Sequence, residues 1–139
     1  MKAKRSHQII AALIIFIVLV GIAYVGYSQF INRREKDALQ IVSIDLLKSE
    51  GDTNFMVTVL IKNTGSNNIS DAELNIILIK DNDIIDSDKQ SFDLLTDLEG
   101  TYSTTFSDVL IDPNSTYKAI ATIYLKNRLL DTKTITKQY

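Results

Sequence analysis

From Ile9 to Ile31 the chain runs for 23 residues, IIAALIIFIVLVGIAYVGYSQFI, without one charged side chain. At 1.5 Å per residue a helix of that length spans roughly 34 Å, against roughly 30 Å of bilayer hydrocarbon. Hydrocarbon offers no partner to a peptide group, so a lone segment crosses it only as a helix, which satisfies its own backbone. The ends of the run are marked. Lys2, Lys4 and Arg5 precede it and Arg33, Arg34 and Lys36 come after it, while Tyr24, Tyr27 and Phe30 fall where aromatic side chains favour the headgroup layer. Too few of these positions tolerate water for the run to read as a helix of a soluble core.

With three basic residues on each flank, the positive-inside bias does not decide topology. The expected arrangement is a single pass with a cytoplasmic N-terminus and the rest of the chain outside the cell, because the remainder of the chain is acidic and rich in turns. A cleaved secretory signal is the competing reading, with Met1–Ser6 as its basic region and Gly21-Ile22-Ala23 as a small-x-small cleavage site. The length of the apolar run, which continues past Ala23, favours an anchor. Ser6-His7-Gln8-Ile9-Ile10-Ala11-Ala12-Leu13-Ile14-Ile15, continuing to Gly21-Ile22-Ala23-Tyr24, resembles the N-terminal segment of archaeal type IV pilin-like proteins. That resemblance implies processing at Arg5-Ser6 by a prepilin peptidase, with His7 as the new N-terminus, and packing of the exposed helices into a filament core. Gly21 and Gly26 stand five apart, which is not the GxxxG spacing of a close helix pair, and read as glycines tolerated in a membrane helix.

Residues 32–39 form a charged stalk between the helix and a domain expected over 40–139. There the periodicity changes to alternation, broken by Gly, Asn, Asp and Pro clusters. Seven or eight strands are expected. The clearest are Phe55-Val57-Val59-Ile61, Tyr102-Thr104-Phe106 and Tyr117-Ala119-Ala121-Ile123-Leu125, each with mostly polar residues between the apolar ones. Leu39–Leu47 and Leu74–Ile79 are partly apolar on both faces, which predicts central strands or a covered edge; Phe92–Leu95 and Leu129–Thr136 complete the set. Turns are expected at Asn63–Asn68, Asp112-Pro113-Asn114 and Lys126-Asn127, and Glu99-Gly100 is expected to open the strand that follows it. About 100 residues of this kind bury their alternating faces best as two packed antiparallel sheets, so an immunoglobulin-like β-sandwich is predicted after one N-terminal helix. Val57–Gly65, continuing to Ile69 and Leu74-Asn75-Ile76, resembles the V-x-V-x-N-x-G strand and turn of extracellular adhesion-type and archaeal surface sandwiches.

The chemistry available is narrow. The 139 residues include no cysteine, no tryptophan and one histidine, His7. Disulfides, thiolate zinc sites and cysteine nucleophiles are excluded, and the predicted sandwich holds no histidine to activate a serine or to ligate copper. From Asn32 onward 12 Lys and Arg face 17 Asp and Glu, a balance unsuited to nucleic acid, whose phosphates need a basic face. No phosphate-binding glycine loop occurs. Asp81, Asp83, Asp86 and Asp88 gather four carboxylates within eight residues, the oxygen chemistry that calcium takes, but Ile84 and Ile85 interrupt them. An acidic hairpin or edge strand is the reading preferred. Asn68-Ile69-Ser70 and Asn114-Ser115-Thr116 are glycosylation sequons in expected turns. No catalytic, metal or cofactor site is expected. The function expected is that of a non-enzymatic cell-surface structural or adhesion protein, a pilin-like or envelope subunit whose partners are the bilayer and copies of itself or other envelope proteins. The alternative is a resident membrane-anchored binding module, accessory to a secretion, motility or envelope complex.

Overall fold

A computed structural model describes residues 2–31, 37–49, 51 and 53–139, with the helical side chains described over 8–27. The chain divides into two compact units, Met1–Glu35 and Lys36–Tyr139. The first is helix α1 (Lys2–Ile31), 30 residues long and therefore roughly 45 Å. The stalk expected over 32–39 lies mostly outside the described residues; Asp37 and Ala38 are non-helical, and strand pairing starts at Leu39.

The second unit holds seven strands: β1 (Leu39–Lys48), β2 (Phe55–Asn63), β3 (Ile69–Lys80), β4 (Asp83–Leu94), β5 (Glu99–Phe106), β6 (Thr116–Leu125) and β7 (Arg128–Gln138). They form two antiparallel sheets, ordered β1-β2-β5 and β4-β3-β6-β7. This is the predicted immunoglobulin-like β-sandwich. The cause is the alternation itself: Phe55, Val57, Val59 and Ile61 of one sheet and Leu74, Ile76, Leu78, Ala119, Ala121 and Ile123 of the other are fully buried between the layers. Aromatic pairs add to this core. Phe55 meets Tyr117 at 4.8 Å between centroids and Tyr139 at 5.4 Å, and Phe92 meets Tyr102 at 4.6 Å. Gly100 makes room for the Tyr102 ring of the last pair, since a Cβ there would lie 2.6 Å from the Tyr102 hydroxyl and displace it.

Three of the four residues in the two-residue hairpins have the chemistry their geometry favours, Lys126 being the exception. Asp81-Asn82 (φ 48° and 76°) and Lys126-Asn127 (φ 50° and 62°) all sit in the left-handed region of a type I′ turn, which Asn and Asp tolerate better than most residues. Three strands begin several residues earlier than expected: β5 three residues before Tyr102, β3 five before Leu74, and β4, the largest departure, nine before Phe92. The first half of β4 is largely exposed, Ile84 and Ile85 included, because β4 is an edge, where alternation against a core has nothing to register. Leu39–Leu47 owes its two-faced character to a bulge between Ile41 and Ser43, at which Val42 is exposed.

Candidate functional site

Helix α1 is apolar on every side. Across Gln8–Tyr27, a stretch long and apolar enough to cross a membrane, the large side chains are 52–72% exposed. A helix hydrophobic all round is stable only when something else covers it, lipid or protein. A Cβ at Gly21 or Gly26 would meet nothing within 4 Å, so neither glycine is required by a contact within this chain. Arg5, Ser6 and His7, the predicted processing point, fall within α1, and their side chains lie outside the described residues.

The acidic segment is divided by its surroundings rather than gathered. Asp81 forms the β3–β4 turn, where its Oδ1 accepts the Thr116 N–H at 2.9 Å. A hydrogen bond from the Ser115 hydroxyl, then that from Thr116, holds its pKa below the ordinary value. Asp86 Oδ1 accepts the Ser87 N–H at 2.8 Å. Asp88 Oδ2 takes Gln90 Nε2 at 3.0 Å and Thr104 Oγ1 at 2.7 Å, and those two bonds, Gln90 first, lower its pKa as well. Among the described residues no group of three or more Asp, Glu, His or Cys is placed to share an ion. Of the sequons, Asn68 is exposed, but its Oδ1 accepts the Thr96 N–H at 2.9 Å, while Asn114 is exposed in the turn that Asp112 closes through the Asn114 N–H at 2.9 Å.

Both open sides of the sandwich are bridged by side chains. At one, Gln90 Nε2 also donates to Ser103 O at 3.1 Å, joining β4 to β5. At the other, β7 lies along β1 in the same direction. Asp131 Oδ2 accepts the Ile41 N–H at 2.8 Å, Lys133 Nζ donates to Val42 O at 2.9 Å, and Lys137 Nζ and the Tyr139 hydroxyl donate to Leu46 O at 2.7 and 2.9 Å. Lys137 also pairs with Asp45 at 3.0 Å and is the first cause of that carboxyl's lowered pKa. Burial pushes the phenols of Tyr102 and Tyr139 up. Sequence reasoning missed this seam, and the only signal for it is that polar residues occupy the inward positions of β7. It also missed two anchors. The Tyr117 hydroxyl accepts the Asp112 N–H at 2.7 Å and donates to Leu110 O at 3.2 Å, tying the β5–β6 connection to the core. Asn63, fully buried, donates to Asn67 O and Leu94 O and accepts the Gly65 N–H.

No protein-family model and no curated protein sequence matches this chain. Solved structures share its fold. A putative β-galactosidase from Bacteroides fragilis aligns with a TM-score of 0.59 at 16% identity, over 76% of this chain and 18% of its own. A glycosyl hydrolase family 2 member from Bacteroides cellulosilyticus DSM 14838 aligns with a TM-score of 0.56 at 14% identity, over 70% of this chain and 15% of its own. The chain thus spans less than a fifth of either protein, and the likeness is one of β-sandwich fold.

Proposed function

We propose that this protein is a non-enzymatic cell-surface subunit, pilin-like or otherwise part of the envelope, with α1 as membrane anchor or filament-core helix and the sandwich outside the cell. The observation that carries this reading is the helix surface. Twenty residues with no polar face need continuous apolar cover, and lipid or copies of the same helix supply it. The sandwich's share is mechanical and adhesive: its two lateral seams are stitched by side chains, and its turns and outer faces are left for contact. A hydrolase is not favoured, since the lone histidine sits at position 7 and three carboxylates of the acidic run are engaged in separate hydrogen bonds.

Intact-mass and N-terminal analysis of protein taken from its native membrane tests this. A mature chain beginning near His7, recovered in sheared surface fibres, is expected for a filament subunit. An intact Met1 that stays with detergent-extracted membranes identifies the resident anchor instead. A chain beginning near Tyr24 and released into solution overturns both.

A further inference from the structure

The outer face of the four-stranded sheet carries a recess of about 420 Å³ where β3, β4, β6 and the Lys126-Asn127 turn meet. A volume of that size lies within the roughly 300–1,000 Å³ of small-molecule sites, but the lining is polar, which suits a hydroxyl-rich ligand rather than an apolar one. Asp71 and Lys126 also line a second recess of about 290 Å³, so the two adjoin and offer an extended ligand a continuous path.

Several features of the recess bear on what it would hold. Strand β3 breaks register between Ile69 and Ala72, and within that bulge Asp71 sits at φ 55°, its N–H donating to Asp93 Oδ1 at 2.8 Å, and borders both recesses. Bulges of this kind re-aim a side chain next to a site. Asn75 pairs with Lys89 on one side and Thr122 on the other, and its Oδ1 is covered from solvent yet has no hydrogen-bond partner. An acceptor left in that state is unfavourable, and a donor entering beside it would relieve it. On the same sheet face the Lys89–Glu73 pair, at 3.3 Å with both side chains exposed, is a surface contact weak enough to part. Tyr124 supplies an aromatic ring. The charges balance, with Asp71 and Glu73 against Lys89 and Lys126, so the lining favours neither an anion nor a cation.

We infer that this recess binds a neutral sugar unit of an oligosaccharide. Each sugar hydroxyl both donates and accepts, matching the carboxylates and the Asn75 oxygen on one side and the ammonium groups on the other, while the ring's C–H face packs on Tyr124. The inference concerns the sandwich alone. It goes beyond the surface-subunit reading and holds whether or not the leader is removed.

The test is binding of the full chain, held in lipid nanodiscs free of glycolipid, to an array of neutral, N-acetylated and uronic oligosaccharides. Neutral or N-acetylated members are expected to bind, and Tyr124→Ala and Asp71→Ala are each expected to weaken that binding about tenfold, as loss of one good contact does. Tyr124→Phe, which keeps the ring, is expected to retain it, and Thr134→Ala, elsewhere on β7, to change nothing. Far-UV circular dichroism of every variant separates lost binding from lost folding. Absence of binding by the folded wild type, binding that survives both alanine substitutions, or binding of uronic members or of basic peptides alone overturns the inference.

Discussion

Asn63 shows how much one buried amide can organise. It closes β2 with its side chain enclosed, donating to the carbonyls of Asn67 and Leu94 and accepting from Gly65, so the β2–β3 connection and the end of β4 are fixed through one residue. Asn63→Ala leaves those groups without partners and should destabilise the sandwich by about 2–3 kcal/mol, measured by urea unfolding. A loss below about 0.5 kcal/mol would mean that water replaces the amide. Carboxylates act at the same scale with a definite pH sign. Asp45, Asp81 and Asp88 all have pKa values lowered from 3.8 by the hydrogen bonds they accept in the folded chain. A depressed folded pKa contributes stability that is present above the unfolded value and lost as pH falls through the folded one. The melting temperature should therefore be insensitive to these groups above about pH 5 and fall progressively below about pH 4. Asp81→Asn should shallow that fall in a circular-dichroism melting series, and an unchanged acid slope would count against the role given to Ser115 and Thr116.

Among the elements, β1 and β7 show what a strand gains from a neighbour to which it is not hydrogen-bonded by its backbone. An uncovered β1 would present free backbone groups to other chains; here Asp131, Lys133, Lys137 and Tyr139 occupy them. Asp131→Ala frees the Ile41 N–H, and hydrogen exchange at that amide should accelerate about tenfold or more while amides of β2 keep their protection, the opening energy falling by roughly one hydrogen bond. Equal exchange before and after substitution would mean that the seam does not guard the edge. Elements with strong alternation, β2 and β6, were legible in sequence because one face of each is wholly enclosed. The first nine residues of β4 were not, since Asp83–Ser91 lies on an edge whose inward positions meet polar seam residues rather than core. The recess on the outer sheet face was hidden for another reason. Its residues come from three strands and a turn, and only the register that sets Asn75 beside Lys89 and Thr122 brings them together.

At the scale of the whole molecule, one chain carries two kinds of surface. The first 31 residues carry three basic groups and no acid, and their helix exposes apolar side chains on every side, whereas the sandwich buries its own apolar face and presents an acidic surface. A chain begun at Asp37 keeps all seven strands and both seams, because every hydrogen bond described in the sandwich lies within Asp37–Tyr139. It should be monodisperse in water with a β-type circular dichroism spectrum, while the full chain should need detergent or lipid. The helix is the cause, so Ile17→Arg in the full chain should weaken membrane partition: a cation at the centre of a span costs about 2.5–3.5 kcal/mol on insertion scales. Flotation of the full chain and this variant with liposomes measures the difference. Equal flotation would place the apolar cover of α1 in protein rather than lipid, and a full chain that stays monomeric in plain buffer would remove the need for either.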